Sequence, residues 1–223
     1  MTRGLKGIAL SLLLAVATPA FAQTAAPAPA GDAAPDGRSL FRTKTCIACH
    51  GKDGAKAIQN YPELAGQDKA YLLAQMKDIK EGTRVSGKDE RGNPRSQGMR
   101  DIMHLFNDAE MKAIADWLAT LPAPAPRKPD APIPQETLDK GKTAYTQGGC
   151  QTCHGVNGLK PLPSYPLIAG QKREYLVLQM AELRDGVRTN GKSKLMLPFA
   201  KKLSDEQIDL IATYLSQIER PKP

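Results

Sequence analysis

The chain has 223 residues, 24% of them charged and only 5% aromatic, and its 31 Lys and Arg outnumber 23 Asp and Glu for a formal charge of +8. Such a balance suits acidic proteins, anionic lipid or nucleic acid. The scarcity of aromatics, the lack of any arginine-aromatic motif and the export pattern described next argue against nucleic acid.

At the N-terminus Arg3 and Lys6 precede a short apolar run, Ile8 to Val16, and then the small residues "AFA" at 20–22. This is the pattern of an export signal, residues 1–22, cut after Ala22; the run is shorter than the roughly 18 residues of a spanning helix. Cleavage leaves a charge of +6. Residues 23–35, "QTAAPAPAGDAAP", offer nothing large and apolar to bury and are expected to form a disordered leader.

The remainder is a tandem duplication. An offset of 104 residues places Gly37 on Gly141, Phe41 on Tyr145, Cys46 on Cys150, Cys49 on Cys153 and His50 on His154. It then places "YPELAGQ" on "YPLIAGQ", Tyr71 on Tyr175, Gln75 on Gln179 and Arg84 on Arg188. Beyond Gly87 the offset falls to 97, so the first copy carries seven extra residues before Met99 meets Met196 and Trp117 meets Tyr214. Between the copies, residues 122–134 hold six prolines in thirteen positions and read as an extended linker. The expected domains are 36–121 and 135–220.

Both copies read as helical. A short helix is expected from about Gly37 to Thr45, and another from Gly141 into the second motif. Leu72, Met76 and Ile79, matched by Leu176, Met180 and Leu183, have helical spacing. The last helix carries the stripe Met111, Ile114, Ala115 and Leu118, matched by Ile208, Ile211, Ala212 and Leu215, with Asn107 and Ser204 as N-caps. Domains of about 85 residues with so few aromatics have thin cores, which a large apolar cofactor would complete.

"CIACH" (46–50) and "CQTCH" (150–154) carry the chemistry. Four cysteines in an exported chain would ordinarily make disulfides, and two CxxC pairs can make one zinc cage. The pairs lie 104 residues apart, each with its own helices, and neither reading employs His50 or His154. A redox dithiol is expected in a βαβ setting, and no strand alternation is present. Covalent haem attachment employs all three residues: two thiols add across the vinyl groups and the histidine is delivered to the iron.

A thioether on the opposite face would stabilise ferrous iron. The repeat nominates Met99 ("SQGMRD") and Met196 ("SKLMLPF"), both expected in loops, whereas Met76 and Met180 read as core. Met103 competes with Met99. His104 is open to bis-histidine ligation or to a solvated position. The Tyr61–Pro62 and Tyr165–Pro166 pairs are either carbonyl acceptors for the proximal imidazoles or plain turns. Arg84 and Arg188 suit haem propionates or an exposed loop equally.

Two CxxCH domains in tandem, each with a "YPxLAGQ"-like segment and a downstream methionine, resemble the dihaem cytochrome c4 family from about Gly37 to Ile218. The resemblance implies an all-α fold of two class I cytochrome c domains about a pseudo-twofold axis, with two covalently attached haem c groups. Carried onto this sequence, Cys46, Cys49, Cys150 and Cys153 are thioether positions, His50 and His154 proximal ligands, and Met99 and Met196 distal ligands. "GMRDIMHL" departs from the proline-containing "LMLPFAKKL". The family's role is a periplasmic electron carrier, sometimes loosely membrane-associated, that feeds a terminal oxidase, with a quinol-oxidising complex or other protein as donor.

With both irons six-coordinate, the expected role is outer-sphere transfer without bond chemistry. Lys44, Lys52, Lys56, Lys160 and Lys172 are candidates for steering an acidic partner. The alternatives are an electron-accepting subunit of a dehydrogenase and, with one iron open, a haem peroxidase. Denatured mature protein should weigh two haems more than its polypeptide and titrate no free thiols; a bare polypeptide mass or two disulfides by mass spectrometry would overturn the haem reading.

Overall fold

The computed structural model describes Met1 and residues 35–221; the expected export signal and nearly all of the expected leader lie outside the described residues. In the first copy, α1 (Gly37–Thr43), α2 (Cys46–His50), α3 (Lys69–Lys80), α4 (Gln97–Met103) and α5 (Asp108–Thr120) follow in order. The second repeats them as α6 (Gln135–Gln147), α7 (Gln151–His154), α8 (Arg173–Arg184), α9 (Leu197–Ala200) and α10 (Asp205–Ser216). Among the described residues the fold is all-α apart from an isolated bridge between Lys88 and Pro94, inside the seven-residue excess.

The closing helices form where the stripes predict them. Asn107 and Glu110 satisfy each other's backbone N–H groups in a capping box at α5, and Ser204 and Gln207 do the same at α10. Their apolar faces are buried: Met111, Ile114, Ala115 and Leu118 in one, Ile208, Ile211, Ala212 and Leu215 in the other. The first helix of each copy crosses the last at a repeated glycine. A Cβ at Gly37 would lie 2.1 Å from Ala113 O, and one at Gly141 would lie 2.3 Å from Leu210 O, so only hydrogen fits. α6 begins well before the expected Gly141, directly after Pro134, and a Glu136–Lys140 pair at 2.7 Å supports its first turns.

The copies meet through reciprocal polar contacts. Gln67 Nε2 donates to Leu167 O (2.9 Å) while its Oε1 accepts from Leu167 N (2.8 Å). Gln171, its repeat mate, does the same to Glu63 O and Glu63 N, both at 2.9 Å. Arg84 donates to Tyr175 Oη (2.9 Å) and Gln179 Oε1 (3.1 Å), and Arg188 to Tyr71 Oη (3.3 Å) and Gln75 Oε1 (3.0 Å). Each contact has its mate with the copies exchanged, which is the signature of an isologous, pseudo-twofold interface. The arginines are therefore not exposed on a loop. Burial alone would raise the Tyr71 phenol, but Arg188 and Arg84 outweigh it and hold the phenol below its ordinary value.

The proline segment carries no helix, yet it is anchored: Arg127 donates to Glu63 Oε1 (2.7 Å) and Ala57 O (2.5 Å). Gln171→Ala would remove three hydrogen bonds, orphaning the N–H and C=O of Glu63, which is 3% exposed, and the N–H of Lys172. At about 1–3 kcal/mol per buried orphan, the denaturant midpoint of the holoprotein should fall; an unchanged midpoint would show that the glutamine clamp contributes nothing.

Candidate functional site

α2 and α7 are single turns because a glycine stops each one. Gly51 and Gly155 follow the histidines at φ of 74° and 73°, where side chains are strained, and a Cβ at Gly51 would also sit 2.8 Å from Lys56 O. With the chain turned away, His50 and His154 point inward, 6% and 4% exposed.

Each imidazole has one protein partner. His50 Nδ1 lies 3.1 Å from Pro62 O, and His154 Nδ1 lies 3.2 Å from Pro166 O. A carbonyl can only accept, so Nδ1 carries the proton and Nε2 keeps its lone pair for another partner. Burial pushes both imidazoles below the ordinary histidine range, with the proline carbonyls opposing it, and the neutral form is the one a metal requires. The Tyr61 and Tyr165 rings lie 6.1 and 6.2 Å from the imidazole centres, tilted in the first copy and edge-on in the second. The Tyr–Pro pairs are thus acceptors, and the plain-turn reading falls.

All four cysteines are half-buried, and none is in a disulfide. Burial pushes the Cys46 thiol up to about 11 and raises that of Cys150, which suits neither a thiolate cage nor a redox dithiol. Among the described residues no group of three His, Cys, Asp or Glu side chains converges as a zinc site would.

A connected cavity of about 1400 Å³ runs through both copies, against roughly 300–1,000 Å³ for a single-ligand pocket. His50, Cys46 and Cys49 face it in the first copy, and His154 and Cys150 in the second; Cys153 stands on α7 just outside the wall. Met99, Met103 and Met196 also line it. Two methionine expectations need correction in their local structure. Met99 lies within α4 rather than in a loop, one turn before Met103 on the same face. Met196 closes a 3-10 turn over Gly191–Met196. Met103 is sealed in the core at 1% exposure, whereas Met99 is partly buried beside it. His104 caps α4, is exposed and does not line the cavity, which leaves bis-histidine ligation without support.

The lysine expectations divide. Lys52, Lys56 and Lys160 are exposed. Lys44 is tied down by Leu105 O at 2.9 Å and Glu110 at 2.6 Å, and lies over the Phe106 ring. Lys172 is 3% exposed and donates into carbonyls of the first copy. These two are structural, not steering, charges. The glutamine clamp was not singled out in the sequence, although the repetition of "AGQ" was its signal.

A cavity of this size, with a neutral imidazole, unpaired thiols and methionine thioethers in each copy, fits two haem c groups. The comparisons agree. A family model described as cytochrome c matches residues 34–122 and 138–219, once per copy. A cytochrome c4 from Azotobacter vinelandii is 36% identical over 190 residues, covering 83% of this chain and 89% of its own. The chain belongs to the cytochrome c4 family. The crystal structure of reduced recombinant cytochrome c4 from Pseudomonas stutzeri matches with a TM-score of 0.68 at 27% identity, covering 82% of this chain and 97% of that one. A thiosulfate dehydrogenase electron acceptor from Stutzerimonas stutzeri is 31% identical and covers 78% of each chain. The chain is accordingly a dihaem electron carrier with two covalent haem c groups, not an enzyme. No helix among the described residues is long and apolar enough to cross a membrane.

Proposed function

We propose that the chain works in the periplasm, taking electrons from a quinol-oxidising complex or another donor and delivering them to a terminal oxidase. In this reading Cys46, Cys49, Cys150 and Cys153 hold thioether bonds, His50 and His154 are the proximal ligands, and Met99 and Met196 are the distal ones. The observation that carries it is the paired imidazole geometry: each buried ring is held by its proline carbonyl with Nε2 available. Bound there, the haem irons supply one-electron ferric–ferrous exchange. His50, Met99, His154 and Met196 would hold the two irons and the cysteines the rings, so that the bound groups would exchange electrons without a side chain left open to a substrate. Met99 is favoured over Met103 because it is the repeat mate of Met196 and lies at the cavity wall without being sealed in the core.

The acidic partner is best matched by the second copy. Residues 191–203 carry Lys192, Lys194, Lys201 and Lys202 with no acidic residue, whereas residues 87–106 mix four basic with three acidic side chains. All four lysines are exposed, and exposed Leu162, Leu195 and Phe199 lie among them in the chain or close by in the fold: Leu162 N bonds Cys153 O, and the Phe199 ring packs against Gly149. Apolar residues surrounded by unopposed cations suit an acidic protein surface. The similarity to a protein named as a thiosulfate dehydrogenase electron acceptor favours a second reading, in which a dehydrogenase is the donor.

Two measurements test these readings. Met99→Leu and Met196→Leu should each remove half of the far-red thioether-to-ferric absorbance and Met103→Leu none; loss on Met103→Leu would reverse the assignment. On a carboxylate-terminated gold electrode the holoprotein should give two reversible one-electron waves. A catalytic current on adding peroxide would overturn the carrier reading in favour of an open iron. Adsorption should weaken above about 0.1 M salt, where the Debye length falls to roughly 10 Å, and Lys194→Glu with Lys201→Glu should weaken it already at low salt.

A further inference from the structure

The interface departs from its twofold symmetry where Arg95 and Gly87 N reach the buried Glu182, and again at a buried cluster around Lys172 that adjoins the first site. Lys172 follows the clamp residue Gln171 and reaches across into the first copy, where its Nζ donates to Ala57 O and Ile58 O at 3.3 Å and also to Gln59 O. Three acceptors and no donor require the ammonium form. Beside it, Glu63 accepts from Ala57 N through Oε2 (3.0 Å) and from Arg127 through Oε1. Arg220, bonded to Ala169 O, stands behind them.

No mate of this cluster exists in the second copy. Asp68 occupies the position equivalent to Lys172 and caps α3 by accepting from Tyr71 N (2.7 Å); Leu167 replaces Glu63, and Arg127 belongs to the linker. The loop that Lys172 grips is also the one that holds the first site together. Ile58 N donates to Cys49 O (2.9 Å), and Pro62, next to Glu63, supplies the acceptor for His50. Three cations, Lys172, Arg127 and Arg220, thus face the single Glu63 carboxylate; Lys172 is the buried one that grips the proximal-side loop of the first haem position, and Asp68 stands where its mate would reach the second.

We propose that Lys172 is a positioning residue that acts across the domain interface: its ammonium, held by the 57–59 carbonyls, biases the first haem position toward the reduced state relative to the second. A buried positive charge favours the form with one more electron. At an effective dielectric of about 20, a unit charge roughly 10 Å from a redox centre changes a one-electron equilibrium about tenfold. The two repeats, alike in ligands, are thereby made unequal by a side chain that one lends the other. The inference rests on the assignment of His50 as an axial ligand.

The test is redox titration of the holoprotein, with the two centres followed separately by their paramagnetically shifted axial-ligand NMR signals. Lys172→Met should lower the affinity of the first centre for its electron about tenfold and leave the second unmoved. Glu63→Gln should shift the first centre the opposite way, and Lys172→Arg should restore near-native behaviour. A merely structural clamp would move Lys172→Met and Glu63→Gln in the same direction; that outcome, no movement, or equal movement of both centres overturns the proposal. If instead the first centre of the native protein lacks histidine signals, the ligand assignment fails on its own.

Discussion

The hydrogen bond from each buried imidazole Nδ1 to a proline carbonyl determines how much of the rest of each copy must be built. To deliver His50 inward, α2 must stop after one turn, which requires a glycine in the left-handed region at Gly51. To deliver Pro62 O, the chain must return past Cys49, which it does by pairing Ile58 N with Cys49 O. The second copy repeats each of these steps. Proline contributes here through its fixed φ and its carbonyl: it has no N–H of its own to satisfy, so the carbonyl is the residue's one backbone polar group and the imidazole meets it.

The same return loop forms the interface between copies. Glu63 and Leu167 each follow the acceptor proline, and their backbone groups are the ones the two clamping glutamines satisfy. Domain packing and histidine orientation are therefore mechanically joined, since a displacement of one copy would pull on the segment that holds the other's imidazole. Arg84 and Arg188 extend this exchange along the cavity wall.

Against that symmetry, the differences fall into two kinds. Buried differences, Lys172 and Glu63, act on the first site, with the exposed Arg127 pairing to Glu63. Exposed differences, the run of lysines from Lys192 to Lys202, act on the surface beside the second. A duplicated carrier needs both kinds, because two identical centres with identical surfaces would give an electron no preferred direction.

Much of this was legible in the sequence. Covalent chemistry is local, so CxxCH identifies a haem anchor wherever it stands, and helical periodicity with caps located α3, α5, α8 and α10. The duplication nominated Met99 and Met196, because equivalent residues in two copies answer to one geometric requirement. What tertiary structure decided were matters of contact between residues about a hundred positions apart. The chain alone cannot distinguish a glutamine in a turn from one that clamps another domain's backbone, or a steering lysine from one caged by carbonyls. Lys172 and Lys44 read as surface charge because lysine is rarely buried; folding holds Lys172 inside among carbonyls and ties Lys44, still partly exposed, to a carbonyl and a carboxylate. Sequence determined which groups are offered to a haem and how many times. Three-dimensional packing decided which side chains link the copies, and how two nearly equal sites came to differ.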